Sequence, residues 1–368
     1  MKHSPNDSVS VEEFCITGSG GTPSRSNSDF YGGSIPWVKS GELRETIILD
    51  TEEKITEEAI NKSSAKIVPE GAILLAMYGA TIGRLAILGV EAATNQAVCN
   101  IRPDVTVADT RYVYRALEAK VPELIGQASG GAQPNISQEK IRKLRIPLPP
   151  LDEQKRIAAI LDKADALRRK RRQALALLDS LTQSIFLEMF GDPKTEPNRW
   201  PTVSFAEACR DETSKSPKVL RGNYAEEGDI PVVDQGQKLI AGYTNQENVC
   251  VSRGPITLFG DHTRAVKFID FDFAIGADGA KALKASECYE PIFFAALLSR
   301  LPIPDLGYSR HMREVKKLRF PVPDFDLQSL YAKKRSGLRV QERILANAVL
   351  MDDSLFASLQ HRAFTGQL

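Results

Sequence analysis

Six short segments gather side chains that can hydrogen-bond to the edge of a nucleobase. The first half holds YGATIGR (78–84), TNQA (94–97) and GGAQPNIS (130–137). The second holds VDQGQK (233–238), GDHTR (260–264) and GYSRHMR (307–313). Asn and Gln can pair with adenine through two bonds and Arg or Lys with guanine, while Lys, Arg and Ser can hold phosphates. Glycine and polar turn formers run through each segment, so loops should present them. The residues expected to touch a DNA duplex are Lys39, Tyr78, Thr81, Arg84, Asn95, Gln96, Gln133 and Asn135, then Gln235, Gln237, Lys238, His262, Arg264, Tyr308, Arg310 and His311. Any one segment reads more simply as a surface turn. Their recurrence at corresponding places in both halves is what favours binding. Basic clusters KIRKLR (140–145) and RHMREVKKLR (310–319) recur too, and either solvated helix ends or contacts to a DNA backbone would explain them.

Signatures of catalysis are missing from the sequence. It has no GxxxxGK[ST], HExxH, GxSxG or CxxC pattern. TGSGGTPS (17–24) is glycine-rich but does not sit between a strand and a helix, which argues against a nucleotide loop. GDHTR offers His beside Asp with no coupled nucleophile. GELRETIILDTEEKITEEAI (41–60) mixes acids with apolar residues as a solvated face does. No catalytic residue and no metal site are therefore expected. The 368 residues carry a net charge of +1, so any basic surface must be local. Five scattered cysteines suit reduced thiols, and the longest apolar runs fall short of the roughly 18 residues a membrane span needs. A soluble cytoplasmic protein with no membrane partner is expected.

The elements that must position these loops are written twice. Shifted by 174 positions, IRKLRIPLPPLDEQ falls on VKKLRFPVPDFDLQ without a gap, and Asp179-Ser180-Leu181 falls on Asp353-Ser354-Leu355. Upstream, PEGAILLAMYG echoes SRGPITLFGD at an offset of 183, so the first copy should carry extra residues in between. Each copy opens with short β-branched runs and tight turns, mixed with a few helices. Each closes with a long stretch almost free of Gly and Pro, about 151–190 and about 327–364, with Gly337 the one weak point. Forty helical residues would make a rod of roughly 60 Å. Ile157, Leu161, Ala164, Leu167, Ala174, Leu178, Leu181, Ile185 and Met189 define a narrow seam on the first rod. Leu338, Leu345, Val349, Phe356, Leu359 and Ala363 do so on the second, with Asp352 interrupting. Such seams would pair the two rods antiparallel about a pseudo-two-fold axis; two helices packed on their own domains is the other reading. The run RRKRR (168–172) lies in mid-rod, where solvent is its usual fate and a DNA backbone the alternative.

This plan resembles the specificity subunits of type I restriction–modification systems. The resemblance rests on IPLPPLDEQKRIAAILDKADAL, on GSGGTPSRSNSDFYGGSIPWVKSGEL (18–43), on GDIPVVDQGQKLIAGYT (228–244) and on LQHRAFTGQL (359–368). The second junction, PVPDFDLQSLYAKK, departs from the Glu-Gln pattern, which bears on how tightly its helix packs. The resemblance implies an α+β fold: two target recognition domains of mixed short strands and helices (1–150 and 191–326) separated by two long antiparallel helices (151–190 and 327–368) in a coiled coil. It also implies a non-catalytic reader of an asymmetric two-part site in double-stranded DNA, docked by two methyltransferase subunits, with two restriction subunits able to join. S-adenosylmethionine, ATP and Mg would belong to those partners. A duplicated coiled-coil adaptor that binds proteins without reading DNA is the alternative, and a stand-alone nuclease a more distant one.

Overall fold

The computed structural model describes residues 8–44, 46–128, 135–213, 217–246, 249, 254–277 and 279–368. Contacts divide the chain into two compact units, Met1–Arg171 with Ala348–Leu368, and Arg172–Asn347. Each long helix is therefore shared between units, where the sequence pattern suggests helices set apart from the lobes. Among the described residues no helix is long and apolar enough to cross a membrane.

In chain order the first unit contains β1 (Ser8–Ser10), β2 (Cys15–Ser19), β3 (Tyr31–Val38), β4 (Ile47–Ile48), β5 (Lys54–Ile55), α1 (Glu57–Lys62), β6 (Ile67–Val68), β7 (Ile73–Ala76), β8 (Leu85–Leu88), β9 (Ala92–Thr94), β10 (Val98–Pro103), α2 (Thr110–Gly126), α3 (Gln138–Lys143) and β11 (Arg145–Pro147), and then enters α4 (Leu151–Phe190). Its sheets run β2-β10-β7-β8-β4, β5-β3-β9-β6 and β1-β11. Strand β7 is buried at all four positions, because both faces of its sheet are covered. Ile73 and Leu75 join the core around Tyr112, Leu117 and Ile141, while Leu74 and Ala76 join the one around Val38, Leu43 and Leu88.

The second unit repeats this order with β12 (Thr202–Val203), α5 (Phe205–Ala208), β13 (Cys209–Asp211), β14 (Ile230–Val233), β15 (Gly242–Thr244), β16 (Ile256–Gly260), β17 (Val266–Ile269), β18 (Ala274–Ile275), β19 (Ala280–Ala285), α6 (Pro291–Leu298), α7 (Met312–Val315), β20 (Phe320–Pro321) and then α8 (Phe325–Phe364). Its sheets run β13-β19-β16-β17, β15-β14-β18 and β12-β20. Again alternate residues split between two cores, Phe259 going to one and Ile256 and Leu258 to the other. The extra length of the first copy falls chiefly on α2, with 17 residues against 8 in α6.

What joins each lobe to its long helix is a buried glutamine. Gln154 accepts a hydrogen bond from the Asp109 amide (2.8 Å) and donates to the carbonyls of Val107 (2.9 Å) and Pro149 (2.8 Å). Gln328 accepts from the Glu290 amide (2.9 Å) and donates to the carbonyls of Cys288 (3.1 Å) and Pro323 (2.8 Å). Asp109 and Glu290 are the N-caps of α2 and α6, and both glutamines are fully buried. The altered second junction thus keeps the glutamine and makes the same three bonds as the first. Helix α8 starts at Phe325, two residues before the expected point, because the Asp324 carbonyl already accepts from the Gln328 amide.

The long helices meet each other and the lobes at once. In the first unit Arg156 reaches the Leu368 carbonyl, the Arg168 guanidinium lies over the Phe356 ring and Arg171 pairs with Asp352 (2.7 Å), an antiparallel order. Three arginines of RRKRR thereby form ion pairs: Arg168 with Asp165 and Asp353, Arg169 with Asp165, Arg171 with Asp352. Asp352 interrupts the apolar stripe because it answers Arg171. In the second unit Phe186 and Phe190 near the end of α4 pack on Tyr331 near the start of α8. The expected seam is corrected at Leu167 and Leu181, which are exposed, while Thr182, Phe186 and Phe190 are buried instead. A 3.6-residue turn drifts about 20° per heptad, so a straight helix cannot keep one 3.5-residue line buried.

Replacing Gln154 with Leu would strand one buried amide and two carbonyls. An unpaired buried group costs about 1–3 kcal/mol, so we expect at least about 2 kcal/mol of destabilisation in denaturant unfolding, with a similar loss for Gln328→Leu. A loss below about 0.5 kcal/mol in both would contradict the bonding described.

Candidate nucleic-acid interface

In the first unit, backbone bonds draw most of the expected contact residues to one end of the sheets. The Asn95 amide donates to the Val38 carbonyl beside Lys39 (2.9 Å), the Met77 amide to Ala97 (2.8 Å) and the Ile136 amide to Met77 (2.7 Å). Tyr78 and Asn135 form an isolated antiparallel bridge, and Thr81 lies in the tight turn Gly79–Thr81 after β7. Gly79 adopts φ 80°, a left-handed conformation that favours glycine. Lys39, Tyr78, Thr81, Asn95, Gln96 and Asn135 are thus brought together. Arg84 is exposed just before β8 but also lines a cleft of ≈ 670 Å³ with Leu43, Tyr114 and Glu118. Gln133 lies outside the described residues.

Several of these side chains already have partners. Lys39 pairs with Glu53 (2.9 Å) and Glu52 (3.3 Å), and Arg25 pairs with Glu53 (2.6 Å). Hydrogen bonds from Arg25 and Lys39 hold the Glu53 carboxyl down to about 2. Gln96 accepts from the Thr22 hydroxyl. Asn95 differs: among the described residues its buried Oδ1 has no hydrogen-bond partner. The glycine-rich segment 17–24 packs against this turn, Gly21 donating to the Thr94 carbonyl (2.8 Å), and a Cβ on Gly20 would collide with that carbonyl. Arg25 and Thr22 therefore join the site without having been picked from the sequence. The signal available was their place beside the glycines.

The second unit builds the same relay: the Asp261 amide donates to Gly279 (2.6 Å) and the His311 amide to Asp261 (2.8 Å). Around it, Gln235 Oε1 accepts from the His262 amide (3.1 Å), and its carbonyl accepts from the Thr263 hydroxyl (2.6 Å). The His262 ring stacks on Tyr308 with centroids 5.1 Å apart, and Tyr308 is 86% exposed. Arg264, in the left-handed region at φ 57°, pairs with Asp305 (2.6 Å). Gln237, Lys238 and Arg310 are exposed.

His311 is the exception and a correction. It is fully buried, its Nε2 accepts from the Leu306 amide (3.1 Å), and its Nδ1 therefore donates to the Asp261 carbonyl (2.8 Å). With both ring nitrogens engaged it holds the loop that presents Tyr308 and does not reach a base. The repeat register had a sign of this, since it lays His311 on Ser137, the N-cap of α3.

The arrangement offers exposed amides, guanidinium groups and one stacked aromatic pair, which suits hydrogen bonding and stacking more than bond making. Cys15, Cys99 and Cys209 are buried, and burial pushes their thiols up to about 12, so they are not ready nucleophiles. Among the described residues no group of three His, Cys, Asp or Glu could hold a metal ion.

Comparison with known proteins gives a consistent picture. Residues 4–177 match the family described as the type I restriction modification DNA specificity domain. The chain is similar to the type I restriction enzyme EcoR124I/EcoR124II specificity subunit of Escherichia coli, 32% identical over 154 residues, covering 40% of this chain and 38% of that one. It is similar also to the MjaIX specificity subunit of Methanocaldococcus jannaschii, 31% identical over 191 residues, covering 50% and 44%. The matched stretches thus span less than half of either relative. Among solved structures, the type I restriction–modification S subunit from M. genitalium superposes with a TM-score of 0.66 at 14% identity over 97% of this chain and 96% of that one. A chain from a structure of the type I R-M system, described in terms of complex assembly and conformational transition, gives 0.56 at 17% identity over 100% of both. At these identities the likeness shows the fold.

The two histidines of the second site should separate cleanly. We expect His311→Leu to destabilise by about 2 kcal/mol, since it strands a buried amide and carbonyl. His262→Ala should stay within about 0.5 kcal/mol of the parent. Equal losses in thermal unfolding would contradict the assignment.

Proposed function

We propose that this chain, whose residues 4–177 belong to the type I restriction modification DNA specificity domain family, is the DNA sequence-specificity subunit of a type I restriction–modification complex. In this reading each lobe is a target recognition domain that reads one half of a two-part site in double-stranded DNA. The observation that carries it is the convergence, around the same backbone relay in both units, of exposed amide, guanidinium and aromatic side chains. The two sets differ, Tyr78, Asn95 and Gln96 against Gln235, His262 and Tyr308, so the site is asymmetric.

The long helices serve as an antiparallel coiled-coil spacer with pseudo-two-fold symmetry. They leave Leu177, Leu181 and Leu187 on α4 and Ile344, Met351 and Leu355 on α8 exposed. Exposed apolar residues in this number suit partner helices. Two methyltransferase subunits would dock there, two restriction subunits would join them, and S-adenosylmethionine, ATP and Mg would bind those partners. This chain contributes recognition without catalysis, in the cytoplasm. The adaptor alternative leaves the exposed amides at the loops without a task.

Two experiments test the reading. Duplex binding by the chain with its methyltransferase should weaken steeply with salt, log K falling against log salt by about 0.9 per phosphate contact. An adaptor would show no such duplex binding. Inserting four helical residues after Leu175 and after Ala346, which line one cleft, lengthens the spacer by about 6 Å, so the preferred gap between half-sites should grow by about two base pairs. An unchanged gap would rule out the helices as the ruler.

A further inference from the structure

The duplication places unlike residues at equivalent points where each lobe meets its helices. In the first unit α2 turns Arg115 inward, its side chain 2% exposed. The guanidinium bonds Asp162 (2.8 Å) and Asp165 (3.1 Å) on α4 and Glu118 (2.9 Å) on its own helix, and lies 5.6 Å from the Phe356 ring on α8. Asp165 is itself held by Arg168 and Arg169. One buried side chain thus ties the recognition lobe to both long helices. Burial disfavours its charge, yet the surrounding carboxylates outweigh that cost and raise its pKa.

The caps Asp109 and Glu290 align α2 with α6, and the glutamines Gln154 and Gln328 align α4 with α8. In that register Arg115 falls on Ala296, Asp162 on Ser336 and Asp165 on Arg339. These ion pairs have no counterpart there: the second lobe meets its helices through apolar contacts, Phe293 against Phe186, Phe190 and Tyr331, and through the Arg300 guanidinium over the Phe186 ring (4.4 Å). Arg339 pairs instead with Asp270 (3.2 Å) and lies over the Phe268 ring (4.8 Å). Beside these contacts the second unit opens clefts of ≈ 640 Å³ each. Ala296, Arg300 and Tyr331 line one, Ser336 lines the other, and Arg339 lines both.

We propose that Arg115 is a positioning residue that fixes the first lobe on the helices, and that the second lobe, lacking this lock, supplies the freedom that sets how far the gap between half-sites can vary. The inference rests on the function proposed above. A lobe held rigidly reaches its half-site at one separation only, since any other must be reached by breaking packed contacts. A lobe facing an open cleft can tilt into it.

The test selects bound duplexes with the assembled chain–methyltransferase complex, first from a randomised pool to find the site, then from duplexes whose gap varies by single base pairs. For Arg115→Met we expect the preference for the best gap over the next to fall about tenfold with half-site bases unchanged. For Ala296→Arg with Ser336→Asp and Arg339→Asp, which installs the lock in the second unit, we expect it to rise about as much. Unchanged preference in both overturns the inference. So does a folded triple variant that no longer assembles, because the cleft would then be a docking site. If Arg115→Met does not fold, the triple variant decides alone. A parent complex that selects no two-part site at all overturns the underlying function, a different failure from an unaltered gap preference.

Discussion

Everything that the lobes present depends on the amide of a buried glutamine at each helix junction. The junction must satisfy one backbone N–H and two carbonyls that water cannot reach, at the point where a strand ends, prolines intervene and a helix begins. Only an amide side chain brings an acceptor and two donors on one planar group. A glutamate would bring acceptors alone, and a leucine neither. Gln154 and Gln328 each meet all three demands and grip the cap of the neighbouring helix, α2 or α6, in the same act. The lobe is therefore bonded to the start of its long helix at this point, and its loops are placed outward from there.

From this anchor the sheet architecture carries position outward. Strands β7 and β16 are buried throughout, so their ends cannot shift without disturbing two cores each. The backbone relay from β10 to Met77 to Ile136, and its twin from β19 to Asp261 to His311, then fixes three loops against one another. Charge acts locally. With a net charge of +1 the chain has no general attraction to a polyanion, and Lys39 and Arg25 spend part of their charge on Glu53. Specific hydrogen bonding rather than bulk electrostatics must decide what these surfaces prefer.

The repeat, the long helices and the loops were legible because each leaves a local pattern: a gapless register, a run without glycine or proline, a cluster of turn formers. Side-chain direction was not legible. His311 and Tyr308 stand three residues apart in one polar segment, yet one is buried and the other 86% exposed, a choice made by the Asp261 carbonyl some fifty residues away. Leu167 and Leu181 fit a heptad on paper but face outward, because helix geometry moves the contact line toward Thr182 and Phe186. Arg115 carries no local mark that sets it apart from the other charged residues of α2. Its partners Asp162 and Asp165 lie far along the chain, so no window of sequence could disclose the network.

The two units show which parts of such a design can change and which cannot. Shared by both are groups that satisfy backbone: the clamping glutamines, the carboxylate caps of α2 and α6, and the relay of amides. Each answers a fixed set of buried donors and acceptors, so an alternative residue would leave some of them unpaired. Different in the two are the side chains at the loop tips, where solvent tolerates substitution, and the packing between lobe and helix, where a buried group differs together with its partners. A duplicated chain can therefore acquire two unlike loop surfaces without disturbing the joints that aim them. Asymmetry of this kind costs little at the exposed loop tips, whereas a buried difference such as Arg115 is matched by its own partners, Asp162 and Asp165.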